Sequence, residues 1–325
     1  MVKNMNNEPL DIIKRSKFFN DKFDKITLIE EISSNKLRVQ IVNKSYVLGL
    51  YNINDYENLK KEELINNYLK SIDSLDTLDL YEIGIMPDIN KSYKIFEYRN
   101  EMSLGEYLDK VSKEKAYAIG SKFGRILKNI HIKKIDKKDE VDWYKSIDTK
   151  VNFLLYRHGL NKVNQNNDYI LVDYLISNKY ICKNTTSNSL YQNISFKNIR
   201  IFNEDEIDIR GLKEIKVGDG VSDFVNINKI AIKHPEFSKG VIDSYHQNDV
   251  ISRKFYRLLS FYQAYFILES LVDIRDNKKS YLSDFEIEEI LNMYDNFSEI
   301  IPSWARWFEK ARKVCFLAFY ISYLL

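Results

Sequence analysis

Glycine is scarce: 10 residues in a chain of 325, about 3% against the ~7% usual in proteins. A Walker-type loop or a dinucleotide fingerprint needs clustered glycines so that backbone N–H groups can approach phosphates. Neither G-x-G-x-x-G nor G-x-x-x-x-G-K-[ST] occurs, which excludes both of those nucleotide-binding designs. The two cysteines, Cys182 and Cys315, fit neither a disulfide framework nor a zinc site, and a reducing cytoplasm is the expected compartment. The four histidines, His131, His158, His234 and His246, are too scattered for a metal motif. No charge of one sign dominates. Lys and Arg number 49 against 47 Asp and Glu, net +2, with no basic block, so a nucleic-acid partner is not expected. Long apolar runs are missing too. The N-terminal "MVKNMNNEPLDIIKRS" has no apolar core of signal-peptide length. The C-terminal "VCFLAFYISYLL" is about half as long as a membrane helix requires. It reads as a helix docked on the core, with no membrane span. No G-x-S-x-G or Cys–His arrangement suggests a hydrolase.

What is present is an ordinary globular composition, 44% hydrophobic and 30% charged, rich in Asn, Ile, Lys and Tyr. Residues 24 to 50 read as strands. In "KLRVQIVNKSYVLGLY", Leu37, Val39 and Ile41 alternate, a turn is expected at Asn43-Lys44, and a second strand follows. "DYENLKKEELINNYLKSI" brings Leu59, Leu64, Ile65, Tyr68 and Leu69 near helical spacing, with Asp55 as N-cap. "LYEIGIMPD" and "SYKIFEYRN" are two more strands, split by Pro87 to Lys91. This makes a small β-rich lobe over 1–100. From 101 to 325 the chain is mainly helical, interrupted by a strand-rich island at 190–217. "EKAYAIGSKFGRILKNIHI" sets Ile119, Phe123, Ile126, Leu127 and Ile130 on one helix face. "SRKFYRLLSFYQAYFILESLVDI" is aromatic on most sides and so reads as a buried helix. "SDFEIEEILNMYDNF" opens on a capping box, Ser283 with Glu286.

The fold class is therefore α+β in two lobes, and the segment "SLYQNISFKNIRIFN", Ser189 to Asn203, has the outline of a phosphotransfer loop. The layout resembles the protein-kinase-like fold of the aminoglycoside phosphotransferase and choline kinase superfamily. In that family the catalytic loop reads H-G-D-x-x-x-x-N, followed by a strand ending in I-D-[FW]-E and then G-D-P-x-x-D-[LF]. Here "YQNISFKN" stands at the first motif and "IRGLKEIKVGDGVSDF" at the second. Asn198 matches the loop asparagine, and Gly218, Asp219, Asp223 and Phe224 match the tail. "SSN" at Ser33–Asn35 resembles the small-residue turn between the first two strands, and "GSKFGRILKNIHI" the helix that ends in leucine-histidine. The resemblance covers residues 24 to 270.

The resemblance implies ATP or GTP with magnesium, and a role at each position. The nucleotide lysine falls on Gly49, which carries no charge; Lys36 and Lys44 are near in sequence, and a lysine from another strand is the remaining substitute. The helix glutamate is Glu62 or Glu63, a solvated helix charge if it lacks a lysine partner. The nucleotide hinge covers Phe96, Glu97 and Tyr98. The catalytic aspartate falls on Asn193, an amide that can orient a hydroxyl but cannot act as general base. The motif histidine is Tyr191. Of the metal ligands, Asn198 remains, while the aspartate position falls on Gly211. Asp208 and Glu214 are the nearby carboxylates that could replace it, each three residues away. Magnesium prefers hard, anionic oxygens. Asp219 and Asp223 are expected to hydrogen-bond backbone or cap the next helix.

Two readings follow. In the first, the chain is a pseudokinase that binds a small molecule, a nucleotide or a protein without fast transfer. In the second, it is an active ATP-dependent phosphotransferase for a small hydroxyl compound, resembling enzymes for aminoglycosides, choline or sugars, with an atypical metal site. A coincidental pattern on another fold is the third alternative. The acidic segments "DIRDN" and "SDFEIEE" read either as solvated helix faces or as a wall for a cationic substrate. Trp304 and Trp307, and Tyr262, Tyr265 and Phe266, read as core.

Overall fold

The computed structural model describes residues 7–73, 75–133, 142–160, 168–183, 185–192, 194–212 and 214–306. In chain order the elements are α1 (Asn7–Lys14), α2 (Lys17–Asn20), β1 (Ile26–Ser33), β2 (Lys36–Ile41), β3 (Lys44–Asn52), α3 (Tyr56–Lys70), β4 (Leu80–Met86), β5 (Lys91–Glu97) and β6 (Glu101–Ser103). Then come α4 (Leu104–Leu108), α5 (Lys113–His131), α6 (Trp143–Leu160), α7 (Asp168–Asn178), β7 (Asn188–Leu190), β8 (Ile199–Phe202) and β9 (Glu206–Ile209). The last are β10 (Lys216–Gly218), α8 (Val225–Ala231), α9 (Pro235–Tyr245), α10 (Arg253–Arg275) and α11 (Asp284–Met293). They fall into two compact units. One comprises Met1–Leu104 with Lys197–Glu214, the other Gly105–Phe196 with Ile215–Leu325.

The first unit is built on an antiparallel sheet of order β1-β2-β3-β5-β4. Alternation along each strand sends Leu37, Val39, Ile41, Tyr46, Leu48, Tyr93 and Ile95 to one face, where they bury with Ile13 of α1 and Phe19 of α2. Burying each large apolar side chain contributes about 1.5–3 kcal/mol. The opposite face carries Lys36, Gly49, Tyr51, Lys94 and Phe96, and α3 packs over β4 and β5. The β2–β3 hairpin closes one residue earlier than expected, at Val42-Asn43, because Ile41 pairs with Lys44. Val42 has φ 54°, which a β-branched residue resists. The ladder that includes Leu37 opposite Leu48 and Val39 opposite Tyr46 outweighs about 1–3 kcal/mol of strain at one residue. Asp55 stands at the N-cap of α3 without a side-chain cap bond. Asn52 caps the 3-10 turn Ile53–Asp55 just before it, its Oδ1 accepting the Asn54 N–H at 3.0 Å. Leu64 is 69% exposed, so the inward stripe of α3 is Leu59, Glu62, Ile65 and Leu69. A second sheet of this unit, β6-β8-β9, leads directly into Arg210 and Gly211.

In the second unit α5 lies against α9 at a distance set by glycine. A Cβ on Gly120 or Gly124 would meet the backbone of Phe237 or Val241, and one on Gly240 would meet Tyr117. The face of Ile119, Phe123, Ile126, Leu127 and Ile130 is buried as the spacing predicts. Helix α10 is buried on most sides and N-capped by Ser252, and α11 opens on a capping box of Ser283 and Glu286. Trp304 is buried and donates to Asn228 Oδ1 at 3.0 Å. Trp307 and the apolar C-terminal segment lie outside the described residues. Of the "DIRDN" acids, Asp273 and Asp276 each accept from Arg157 at 2.8 Å, so that wall is already occupied by a cation of the chain itself.

Asp223 is the polar node of this unit. Its carboxylate accepts the backbone N–H of Tyr191 at 2.7 Å and of Gln192 at 2.8 Å. His131, from the end of α5, lies 3.0 Å from the same carboxylate and 2.8 Å from the Tyr245 hydroxyl. Asp219 accepts the Val221 N–H at 3.0 Å and the Tyr262 hydroxyl at 2.8 Å. Both aspartates therefore hold backbone, as the sequence suggests. Asp223→Ala leaves two N–H groups and an imidazole buried without their acceptor. The expected cost is about 3–5 kcal/mol in urea unfolding, with Asp223→Asn losing less because one acceptor oxygen remains.

Candidate functional site

The first unit contains a cleft of about 710 Å³ between the polar sheet face, α3 and the Asp208–Leu212 segment. Its floor is set by strand register. Gly49 pairs with Lys36 of β2 on one side and with Lys94 of β5 on the other. Directly opposed residues project to the same face, and both lysines line the cleft. Tyr51, two residues on, folds back over the glycine. A Cβ at position 49 would lie 2.9 Å from the Tyr51 hydroxyl and 3.0 Å from its ring. A Cβ there would require the Tyr51 side chain to shift, and two lysines stand beside position 49 on the neighbouring strands.

Lys94 is ion-paired with Glu62 of α3, and its side chain is 20% exposed. Its ammonium lies 5.4 Å from the Tyr51 ring centroid and 5.6 Å from that of Phe96, within cation–π range. Burial raises the Tyr51 phenol above its ordinary value, while Lys94 pulls it the other way. Glu62 thus has the lysine partner whose absence would have made it only a solvated helix charge, and its own side chain stays half exposed. The Leu59–Ile65–Leu69 stripe passes through Glu62, which was the available signal. Lys94 left no signal in its own segment, because only the pairing of β3 with β5 brings it beside Gly49. Lys36 has no ion pair among the described residues. Lys44 is exposed at the start of β3, away from the cleft lining.

The remaining predicted residues divide. Phe96 lines the cleft. Glu97 pairs with Arg99 at 2.8 Å, Tyr98 lies under the Arg38 guanidinium at 4.2 Å, and neither lines the cleft. Their N–H groups are used internally, on Asp79 O at 2.8 Å and Ser45 O at 3.0 Å. Asn198 stands opposite Arg210, whose N–H donates to its carbonyl at 2.7 Å. Gly211 is next along, at φ 76°, and lines the cleft with Asp208 and Arg210. Asn193 lies outside the described residues. Tyr191, at the motif-histidine position, is 1% exposed and packs edge-on to Phe123 at 6.4 Å. Glu214 is exposed.

Asp208 is 2% exposed. It accepts from Arg210 Nε at 3.0 Å, and the same guanidinium is paired with Glu101. Burial outweighs the arginine and pushes the Asp208 carboxyl up to about 6. Among the described residues, no group of three or more His, Cys, Asp and Glu is placed to hold a metal ion. Because the folded-state value is raised, protonation of Asp208 favours the folded state. That contribution is full below about pH 4 and is lost as pH rises through about 6. The stability difference between wild type and Asp208→Asn is expected to move by about 2–3 kcal/mol between pH 4 and 7, against the wild type at the higher pH, as read by denaturant unfolding across that range.

No protein-family model matches the chain, and no curated protein matches it in sequence. Solved structures do. An aminoglycoside 2'-phosphotransferase-IIIa in complex with GDP is 13% identical, with 90% of this chain and 98% of that one covered at a TM-score of 0.55. The aminoglycoside phosphotransferase APH(2'')-IIa, in a ternary complex with streptomycin and ATP, is 15% identical over 84% and 91% at 0.52. A protein described as a fructosamine-3-kinase from Haemophilus somnus 129PT is 16% identical over 85% and 96% at 0.54. At these identities the likeness establishes architecture, and the chain has the protein-kinase-like fold found in aminoglycoside phosphotransferases.

Proposed function

We propose that the chain is a kinase-fold protein that binds a purine nucleotide in the cleft of its first unit and transfers phosphate slowly or not at all. The observation that carries this reading is the Lys94–Glu62 pair beside Gly49. A lysine held by a helix glutamate is what the fold uses on nucleotide phosphates, and here it arrives from the adjacent strand. Lys94 holds phosphate, Glu62 orients Lys94, and Phe96 offers an apolar ring to the base. The solved structures of this fold with GDP or ATP bound make a nucleotide the first ligand to test.

Transfer itself needs more than phosphate binding. The substrate hydroxyl must be oriented and relieved of its proton, and charge on the transferring group must be neutralised. At the position for the first task stands Asn193, which does not titrate in the working range. At the position of the metal carboxylate stands Gly211. Knock-outs within one catalytic machine are not additive, yet each such loss can cost several orders of magnitude in rate. The second reading, an active phosphotransferase for an aminoglycoside-, choline- or sugar-like hydroxyl compound, draws on the same Lys94–Glu62 pair and on the Asp208 carboxylate in the cleft wall.

ATP or GTP is expected to raise the thermal unfolding midpoint of the full chain, since a ligand that binds only the folded state stabilises it. Lys94→Ala is expected to weaken the nucleotide by roughly 10- to 100-fold, the loss of one charge-assisted contact. No shift with any nucleotide would sink the reading. Rapid phosphate transfer to a hydroxyl compound by the wild-type chain would replace it with the second.

A further inference from the structure

The magnesium ion that the fold implies does not fit the residues present. Its two protein ligands would be Asn198, with one neutral oxygen, and position 211, where glycine offers none. The neighbouring buried carboxylate, Asp208, is committed to Arg210 at 3.0 Å, and Arg210 is also paired with Glu101. Of the other acids lining the cleft, Glu62 is committed to Lys94, which leaves Asp55 at the start of α3. A divalent ion of magnesium's hardness takes near-octahedral oxygen ligands, with carboxylate charge to offset its dehydration. One carboxylate and a neutral amide do not provide that. The cleft lining holds Lys36 and Lys61 besides the paired Lys94 and Arg210, against the acids Asp55, Glu62 and Asp208.

The register places Lys36 and Lys94 on either side of a residue with no side chain. Both ammonium groups rise from the same sheet face, one strand to each side of Gly49. Lys36 directly follows the Ser33–Asn35 turn between β1 and β2, and it carries no competing carboxylate among the described residues. Lys94 is anchored by Glu62 and flanked by Tyr51 and Phe96. Two ammonium donors so placed form a seat for adjacent phosphate groups, since each supplies a full charge and N–H donors directly to phosphate oxygens.

We infer that this cleft holds the phosphates of its nucleotide directly between Lys36 and Lys94, without a bridging divalent cation. The inference rests on the nucleotide reading given above, and the two fail differently. Calorimetric titration of the full chain with ATP, once in excess EDTA and once in magnesium, separates them. The expected result is binding in both, with dissociation constants equal to within about threefold, a difference of under 1 kcal/mol. Lys36→Gln and Lys94→Gln keep most of the apolar stem and remove the charge. Each is expected to weaken ATP by about tenfold or more in EDTA, while the ligand-free unfolding midpoint shows that the variant is folded. Binding that appears only with magnesium overturns the inference and leaves the nucleotide reading intact. Unchanged affinity in a folded Lys36→Gln variant also overturns it. Absence of binding under both conditions overturns the nucleotide reading and the inference with it.

Discussion

The cleft of the first unit depends on one constraint, the register that fixes β3 between β2 and β5. That register puts Gly49 opposite Lys36 and Lys94 at once. A Cβ at 49 would press on the Tyr51 side chain. The two lysines stand one strand to either side, a step of about 5 Å each. Helix α3 brings Glu62 to the Lys94 ammonium. Glu62 lies between Leu59 and Ile65 on the cleft-facing side of the helix, half exposed and within reach of the Lys94 ammonium. The ion pair and the apolar packing of α3 specify one helix orientation together.

Much of the fold could be read from periodicity, because the hydrophobic pattern is local. The alternation of Leu37, Val39 and Ile41 and the helical face of Ile119 to Ile130 needed nothing beyond their own segments. The site was harder, and for a physical reason. Lys94 becomes meaningful only through pairing between strands that α3 and β4 separate in sequence. Lys36 was hidden by a smaller effect. A hairpin turn at Asn43-Lys44 would have set Lys36 opposite Tyr51, whereas closure at Val42-Asn43 sets it opposite Gly49. Turn chemistry favours asparagine in the left-handed region over valine, and the ladder overrode that local preference. Glu62 was found as a position, but its partner was invisible without the sheet.

The second unit shows what its retained acids do. Asp223 gathers the N–H groups of Tyr191 and Gln192 and the His131 ring, and Asp219 ties Val221 to Tyr262. These carboxylates are buried, and each is offset by several donors, the condition under which a buried charge is tolerated. Asp223 fixes the backbone of Tyr191 and Gln192. Three of the ten glycines, Gly120, Gly124 and Gly240, are spent on the close approach of α5 and α9. A chain with few glycines thus places three of them at one helix–helix contact.

In the proposed nucleotide reading, the cleft lysines and the glycine at 211 have one electrostatic logic. An aspartate facing a polyphosphate is useful when a divalent ion lies between them. Without that ion it adds like charge to a site that must accept several negative charges, and repulsion at short range in a partly desolvated cleft is worth several kcal/mol. Glycine at 211, in the left-handed conformation at φ 76°, removes the repulsion and leaves the backbone turn intact. Arg210 pairs with Asp208, which lines the cleft, and with Glu101. On that reading Lys36 and Lys94 would supply the charge that a metal would otherwise bring. With the cations covalently part of the sheet, a carboxylate that recruits a free one would be a liability.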